Sequence, residues 1–202
     1  MVDTTIRHGE FELFCGPMFS GKTRELLLRL DSLSHRSDFG PLLFKPKSDT
    51  RDHTIKSRLI AYSPTYIAVE SPEDILLHVN GNHNVIGIDE VMLFERGSGI
   101  KHVIEALLNM NKHVIAAGLD RDFKGETFGE MDKLLILADY VTKLRGICKY
   151  NECNKPATRT QRLVNGKPAQ YHDPVESIEG SVENESYECR CMHHHEVPGK
   201  PG

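Results

Sequence analysis

The chain has 202 residues, room for about one ordinary domain plus an appendage and too little for two full domains. Hydrophobic residues make up 39% and charged residues 27%, with 16 Gly and 10 Pro, which excludes a disordered or collagen-like chain and predicts a soluble globular protein. Lys and Arg number 25 against 29 Asp and Glu, a net charge of −4, so no global basic surface invites nucleic acid and any polyanion must be gripped locally.

No apolar run approaches the roughly 18 residues of a membrane span, and Met1 to Phe11 lacks a cationic stretch followed by an apolar one. A cytoplasmic protein without a membrane partner is expected. In chain order, the first apolar, β-rich run is Glu10 to Cys15, and it enters a Gly-rich turn. Beyond Lys22, Leu26, Leu27, Leu30 and Leu33 recur at helical spacing. Further strands are predicted at Pro41–Phe44, Tyr66–Val69, Val85–Asp89 and His113–Ala117. Helices are predicted at Pro72–Val79, Ile100–Met110 and Met131–Ala138, with the Ser71 hydroxyl and Pro72 as the start of the first of these. Strands alternating with helices predict repeated βα units and a mainly parallel sheet.

After residue 146 the chain turns to cysteine, proline and polar residues, and Asn165-Gly166 predicts a tight hairpin. The expected division is therefore 1–146 for a nucleotide-binding α/β domain, 147–195 for a small metal-stapled lobe, and 196–202 for a disordered tail.

Gly16-Pro17-Met18-Phe19-Ser20-Gly21-Lys22-Thr23 has two glycines with four residues between them, followed by Lys and Thr, between a predicted strand and a predicted helix. That pattern lets backbone N–H groups curl round a polyphosphate, with Lys22 neutralising the transferring phosphoryl and the Thr23 hydroxyl offered to Mg²⁺. The Val85–Asp89 strand ends in a carboxylate suited to the same Mg²⁺. Glu90, one residue on, is a candidate general base. The base could serve water in an ATPase or a hydroxyl in a kinase, and the motif does not separate the two.

Five cysteines occur, and four of them fall in the last third. In a cytosolic chain such crowding favours metal over disulfides. Cys148 and Cys153 form one pair; Cys189, Cys191, His193, His194 and His195 offer the remaining ligands. Cys191 with His194 completes a tetrahedral Cys₃His site, whereas Cys189 stands too near Cys191 to form a clip with it; Cys189 or His193 remain alternatives. Four protein ligands make the site structural, and its loss is expected to loosen the small lobe without altering the phosphate loop.

Taken together, GPMFSGKT at 16–23, KPKSDTR at 45–51, IDE at 88–90, GLDRDFKGETFG at 118–129, CNKPATRTQR at 153–162 and SYECRCMHHHEVPGK at 186–200 resemble the zinc-containing thymidine kinase family. The resemblance implies a RecA-like P-loop fold, α/β with helices on both faces of the sheet, plus a C-terminal zinc lobe with a lasso or lid loop. It implies transfer of the ATP γ-phosphoryl to the 5′-hydroxyl of thymidine, and of deoxyuridine, in nucleotide salvage by a homotetramer restrained by dTTP. By resemblance Glu90 is the base; residues 16–23, Asp49, Thr50, Arg51, Asp89 and Met92 border ATP; Thr23 and Asp89 hold Mg²⁺; and structural Zn²⁺ sits on Cys148, Cys153, Cys191 and His194. Met18, Leu119, Phe123, Thr160 and Tyr187 fall where the family lines its thymine pocket, with Ile178, Glu179 and Gly180 at the base edge. An apolar cleft for a methyl group and backbone amides for a base edge fit that role.

Three departures stand out. Met92 occupies a position where the family has Gln, the first cysteine pair is spaced by four residues rather than two, and the loop from Pro174 to Tyr187 is longer and carries four acids, Glu176, Glu179, Glu183 and Glu185. The competing reading is a RecA-like ATPase whose zinc lobe binds nucleic acid. The negative charge, the lack of Trp and the lack of a basic stripe speak against it. A third reading is a silent nucleotide sensor.

Overall fold

The computed structural model describes residues 4–34, 40–49, 65–175 and 184–201. Six strands form one parallel sheet: β1 (Phe11–Cys15), β2 (Leu42–Pro46), β3 (Tyr66–Val69), β4 (Val85–Ile88), β5 (His113–Gly118) and β6 (Tyr140–Lys143), in the order β3-β2-β4-β5-β1-β6. The central strands β4 and β5 are buried at every residue, as continuous apolar runs in a parallel sheet require. Helix α1 (Lys22–Ser34) covers one face, where Leu26, Leu27, Leu30 and Leu33 pack on Leu43, Val85, Ile115 and Ala117. Helices α2 (Asp74–His78), α3 (Ile100–Asn109) and α4 (Met131–Leu137) share the other core cluster, with Ile100, Val103, Ile104 and Leu107 of α3 spaced for a single helical face. The expected doubly covered α/β sheet is present.

A buried ionic knot ties α1 to the sheet. Arg29 donates from Nε to both oxygens of Glu12, at 3.2 and 3.1 Å, and from its terminal nitrogen at 2.7 Å, while His113 Nε2 lies 2.9 Å from the same carboxylate. These contacts hold the Glu12 carboxyl at about 2, although its burial alone would raise it.

Two elements depart from expectation. Helix α2 starts at Asp74 rather than Pro72; neither the Ser71 hydroxyl nor any other side chain caps its first turn, and the Asp74 carboxylate instead reaches back to accept the N–H groups of Ser71 (2.9 Å) and Glu70 (3.2 Å) in the preceding turn. Strand β6 was not foreseen. All four of its residues are exposed, so they show neither a buried apolar run nor apolar alternation.

Beyond residue 146 lie two smaller sheets: β7 (Gly146–Ile147) with β8 (Pro156–Ala157), and an antiparallel trio β10-β9-β11 formed by β9 (Arg159–Val164), β10 (Lys167–Pro168) and β11 (Glu185–Arg190). The β9–β10 connection is the Asn165-Gly166 hairpin, with both residues at positive φ. The segment 196–202 is expected to be a disordered tail, but its residues Glu196 to Lys200 fold back onto the small lobe. Glu196 N–H donates to Gln161 Oε1, Gln161 Nε2 donates to Glu196 O, each at 2.9 Å, and Tyr171 N–H donates to Pro198 O. No helix among the described residues is long and apolar enough to cross a membrane.

Candidate functional site

The phosphate loop leaves β1 and enters α1, so its backbone is set by two elements of the core. Gly16 has φ +148°, and a Cβ there would lie 2.5 Å from Leu144 O; Gly21 follows at φ +89°. No residue with a side chain fits the first position. Phe19, at φ +59°, is left-handed without being glycine, a conformation that persists only when its surroundings hold it. Ser20 Oγ and Lys22 Nζ both donate to Pro17 O, at 2.8 and 2.9 Å, closing the loop on itself.

Strand β5 lies between β1 and β4, which separates the loop strand from the acid strand by two inter-strand steps, roughly 10 Å. The first turn of α1 spans the interval: the Thr23 hydroxyl donates to Asp89 Oδ1 at 3.2 Å. Asp89 also accepts from the Tyr66 hydroxyl at 3.0 Å and from the Glu90 N–H at 3.0 Å. Burial first, and then the neighbouring Glu90 charge, raise the Asp89 carboxyl to about 6, against the pull of those three donors. Burial and the Asp89 charge push the Tyr66 hydroxyl upward, which keeps its proton in the hydrogen bond. Two hydroxyls beside a carboxylate form a hard-oxygen environment of the kind Mg²⁺ takes.

Glu90 follows β4 at φ +50°, another left-handed non-glycine. With Met18, Lys22, Thr23, Arg24 and Leu119 it lines a cavity of about 260 Å³ at the loop. A base candidate, a phosphate-loop cation and two apolar side chains therefore share one cleft. Asp49 is gripped by buried Lys45, whose Nζ approaches its carboxylate at 3.4 Å and the Tyr66 ring centroid at 5.6 Å. Thr50 and Arg51, and Ile178, Glu179 and Gly180 at the base edge, lie outside the described residues.

The other expected nucleoside residues spread out from this cleft. Thr160 is buried and accepts the Met18 N–H at 3.1 Å. Phe123 is buried beneath Arg162, whose guanidinium lies 5.3 Å from its ring centroid, and His195 donates to Phe123 O at 2.8 Å. Tyr187 on β11 donates to Glu185. Met92 is buried; its sulfur accepts the Leu119 N–H at 3.3 Å, and it borders a second cavity of about 330 Å³ with Arg96, Asp122, Phe128 and Val175. An amide side chain at 92 would place two polar groups where a sulfur now packs against Gly118.

The ligating atoms of Cys148, Cys153, Cys191 and His194 all lie within 4.8 Å of one another, so the structure brings together the four residues expected from the spacing. His194 Nδ1 is 3.6 Å from Cys148 Sγ and 3.5 Å from Cys191 Sγ, and its ring stacks on Tyr150 at 4.4 Å, which fixes its orientation. Burial raises the Cys148 thiol, but backbone donors from Cys191 and Tyr150 and contacts with His194 and Cys153 bring it down to about 6. Three sulfurs and one imidazole in a cluster this tight could hold zinc. Cys189 is outside the cluster and bonds elsewhere, to Met18 O.

Sequence reasoning gave no site role to Tyr66, Lys45 or Arg162, and offered Cys189 only as an alternative metal ligand. Tyr66 reads as a strand residue, and nothing local marks its partner Asp89 or the Glu185 partner of Arg162, each 23 residues along the chain.

Among solved structures, domain III of the Thermotoga maritima replication initiation protein DnaA resembles the chain at TM-score 0.42 and 14% identity, covering 68% of this chain and 55% of that one. The chain thus spans about half the length of that structure, and a likeness so distant does not bear on function. The family described as thymidine kinase matches residues 9–195, nearly the whole length, and the chain belongs to the thymidine kinase family.

Proposed function

We propose that the protein is an ATP-dependent thymidine kinase that transfers the γ-phosphoryl of ATP to the 5′-hydroxyl of thymidine, and of deoxyuridine, to give the 5′-monophosphate for nucleotide salvage. Family membership supports a nucleoside kinase, and one observation carries the reading to this site: Lys22, Thr23 and Glu90 share a cleft with the apolar side chains of Met18 and Leu119. A phosphoryl donor seated in the loop would then meet a nucleoside in the same space.

In this reading the loop N–H groups and Lys22 hold the polyphosphate, and Thr23 and Asp89 hold Mg²⁺, which when bound would neutralise charge developing on the phosphate oxygens. Glu90 orients the 5′-hydroxyl and takes its proton as the hydroxyl oxygen attacks the γ-phosphorus, and the bond from that phosphorus to the β,γ-bridging oxygen breaks with ADP as the leaving group. Catalysis is mainly positioning and charge neutralisation. Met18 and Leu119 give the thymine methyl an apolar wall, with Thr160, Phe123, Tyr187 and residues 178–180 completing the pocket. Asp49, Thr50, Arg51 and Met92 border the nucleotide. The Cys₃His cluster holds a structural Zn²⁺, and the chain divides near residue 146 into a nucleotide-binding part and a metal lobe. A cytoplasmic homotetramer restrained by dTTP belongs to the same reading.

The test supplies γ-labelled ATP, Mg²⁺ and thymidine. The account expects label in thymidine 5′-monophosphate in equal amount to ADP formed. Label released only as inorganic phosphate contradicts it and favours an ATPase.

A further inference from the structure

The main chain of Met18, at the middle of the phosphate loop, is gripped on both of its polar groups by side chains from beyond residue 146. Its N–H donates to Thr160 Oγ1 at 3.1 Å, and its carbonyl accepts from the Cys189 thiol. Thr160 and Cys189 are directly opposite one another in the β9–β11 pairing, and both are buried, at 4% and 2% exposure. The strand pair thus closes on one loop residue like two jaws.

Packing around the jaws leaves little freedom. A Cβ on Gly146 would stand 2.5 Å from Cys189 Sγ, and one on Gly16 would stand 2.5 Å from Leu144 O, so residues 144–146 fill the space between the loop and β11. Leu144 N–H is itself bonded to Cys15 O at 2.7 Å, where the loop begins.

In a trans peptide the carbonyl and the following N–H point in opposite directions. Fixing Met18 O against Cys189 therefore turns the Phe19 N–H away from β11, and holds the entry to Phe19, the left-handed residue of the loop. A phosphate loop works through the aim of its N–H groups, so a grip on two successive peptide planes sets that aim. Cys189 stands two residues before Cys191, and its carbonyl accepts the N–H of Lys149, the neighbour of Cys148. The jaw is continuous with the metal cluster, against the expectation that the cluster and the loop are independent.

We propose that Thr160 and Cys189 are positioning residues that set the phosphate loop and couple it to the Cys₃His cluster. The proposal rests on the reading that this loop binds a nucleoside polyphosphate.

The experiment measures Mg-ADP affinity by calorimetry, hydrogen exchange of residues 16–22, and zinc content by elemental analysis in wild type, Thr160→Val, Cys189→Val and Cys189→Ser. Losing one such hydrogen bond should weaken ADP binding about 5- to 10-fold in each Val variant and speed exchange in the loop, with zinc content unchanged. Cys189→Ser, which keeps a donor, should stay within about 2-fold of wild type. Chelation of wild type should speed loop exchange, and should do so less in Cys189→Val, where the link is already cut. Val variants that fold, retain zinc and bind ADP like wild type overturn the clamp, as does loop exchange in wild type that is indifferent to chelation. Wild type that binds no ADP contradicts the underlying reading as well. If Cys189→Val does not fold, Thr160→Val, with its Met18 amide as readout, decides the matter.

Discussion

Thr23 and Asp89, 66 residues apart in the chain, meet through a 3.2 Å hydrogen bond from the Thr23 hydroxyl to Asp89 Oδ1. The bond spans the gap made by β5 and joins the phosphate loop to the acid at the end of β4, so loop and acid form one unit.

Asp89 gives that unit a pH dependence. Its carboxyl lies at about 6 rather than its ordinary 3.8, chiefly from burial and then from Glu90. A carboxyl raised in the folded state holds its proton between about 4 and 6, so ionising it there works against the fold, and stability falls as pH rises through that window. Cation binding has the opposite sign, because only the ionised form is a ligand. Mg²⁺-dependent ATP binding should weaken as pH drops below about 6, measured by calorimetry from pH 5 to 8, and Asp89→Asn should flatten the profile.

Glu90→Gln keeps the side-chain shape and the left-handed turn but removes the base. Turnover should fall on the order of 10²-fold or more with nucleoside affinity retained, read from kcat and from direct thymidine binding. Wild-type turnover in this variant would remove Glu90 from the mechanism.

Glu12 is expected to dominate acid sensitivity. Its carboxyl is held at about 2 against an ordinary 4.5, by His113 and Arg29 acting against its own burial. A depressed carboxyl contributes stability above the unfolded value and loses it as pH falls toward the folded one, here between about 4.5 and 2. Glu12→Gln should lower unfolding free energy at pH 7 by about 3 kcal/mol. The gap from wild type should shrink as the pH is lowered through that interval, as denaturant titrations would show.

Metal analysis should find about one zinc per chain. Cys153→Ala should lose most of it and lower Tm, since a ligand set of four is completed only by folding. Wild type that is fully folded and metal-free after clean purification would contradict the structural zinc.

The parts of this molecule legible in the sequence are those written in local pattern. Leu26, Leu27, Leu30 and Leu33 announce α1 by their spacing, and Asn165-Gly166 announces a turn by its conformational demand. The Cys₃His set was legible because ligand spacing is itself local: Cys148 with Cys153, Cys191 with His194. Strand β6 escaped because Tyr140 to Lys143 stay exposed at the sheet edge, so burial left no mark on their composition. The grip of Thr160 and Cys189 on Met18 escaped for another reason. It joins residues 142 and 171 positions away from Met18, and only the register of β9 against β11 makes them a pair.

The most direct test of the central claim is ADP release from MgATP across a panel of nucleosides, with water alone and single-stranded DNA as controls. The account predicts release that requires thymidine or deoxyuridine and ignores purine nucleosides. Release indifferent to nucleosides and raised by DNA would contradict it, and so would no release under any condition.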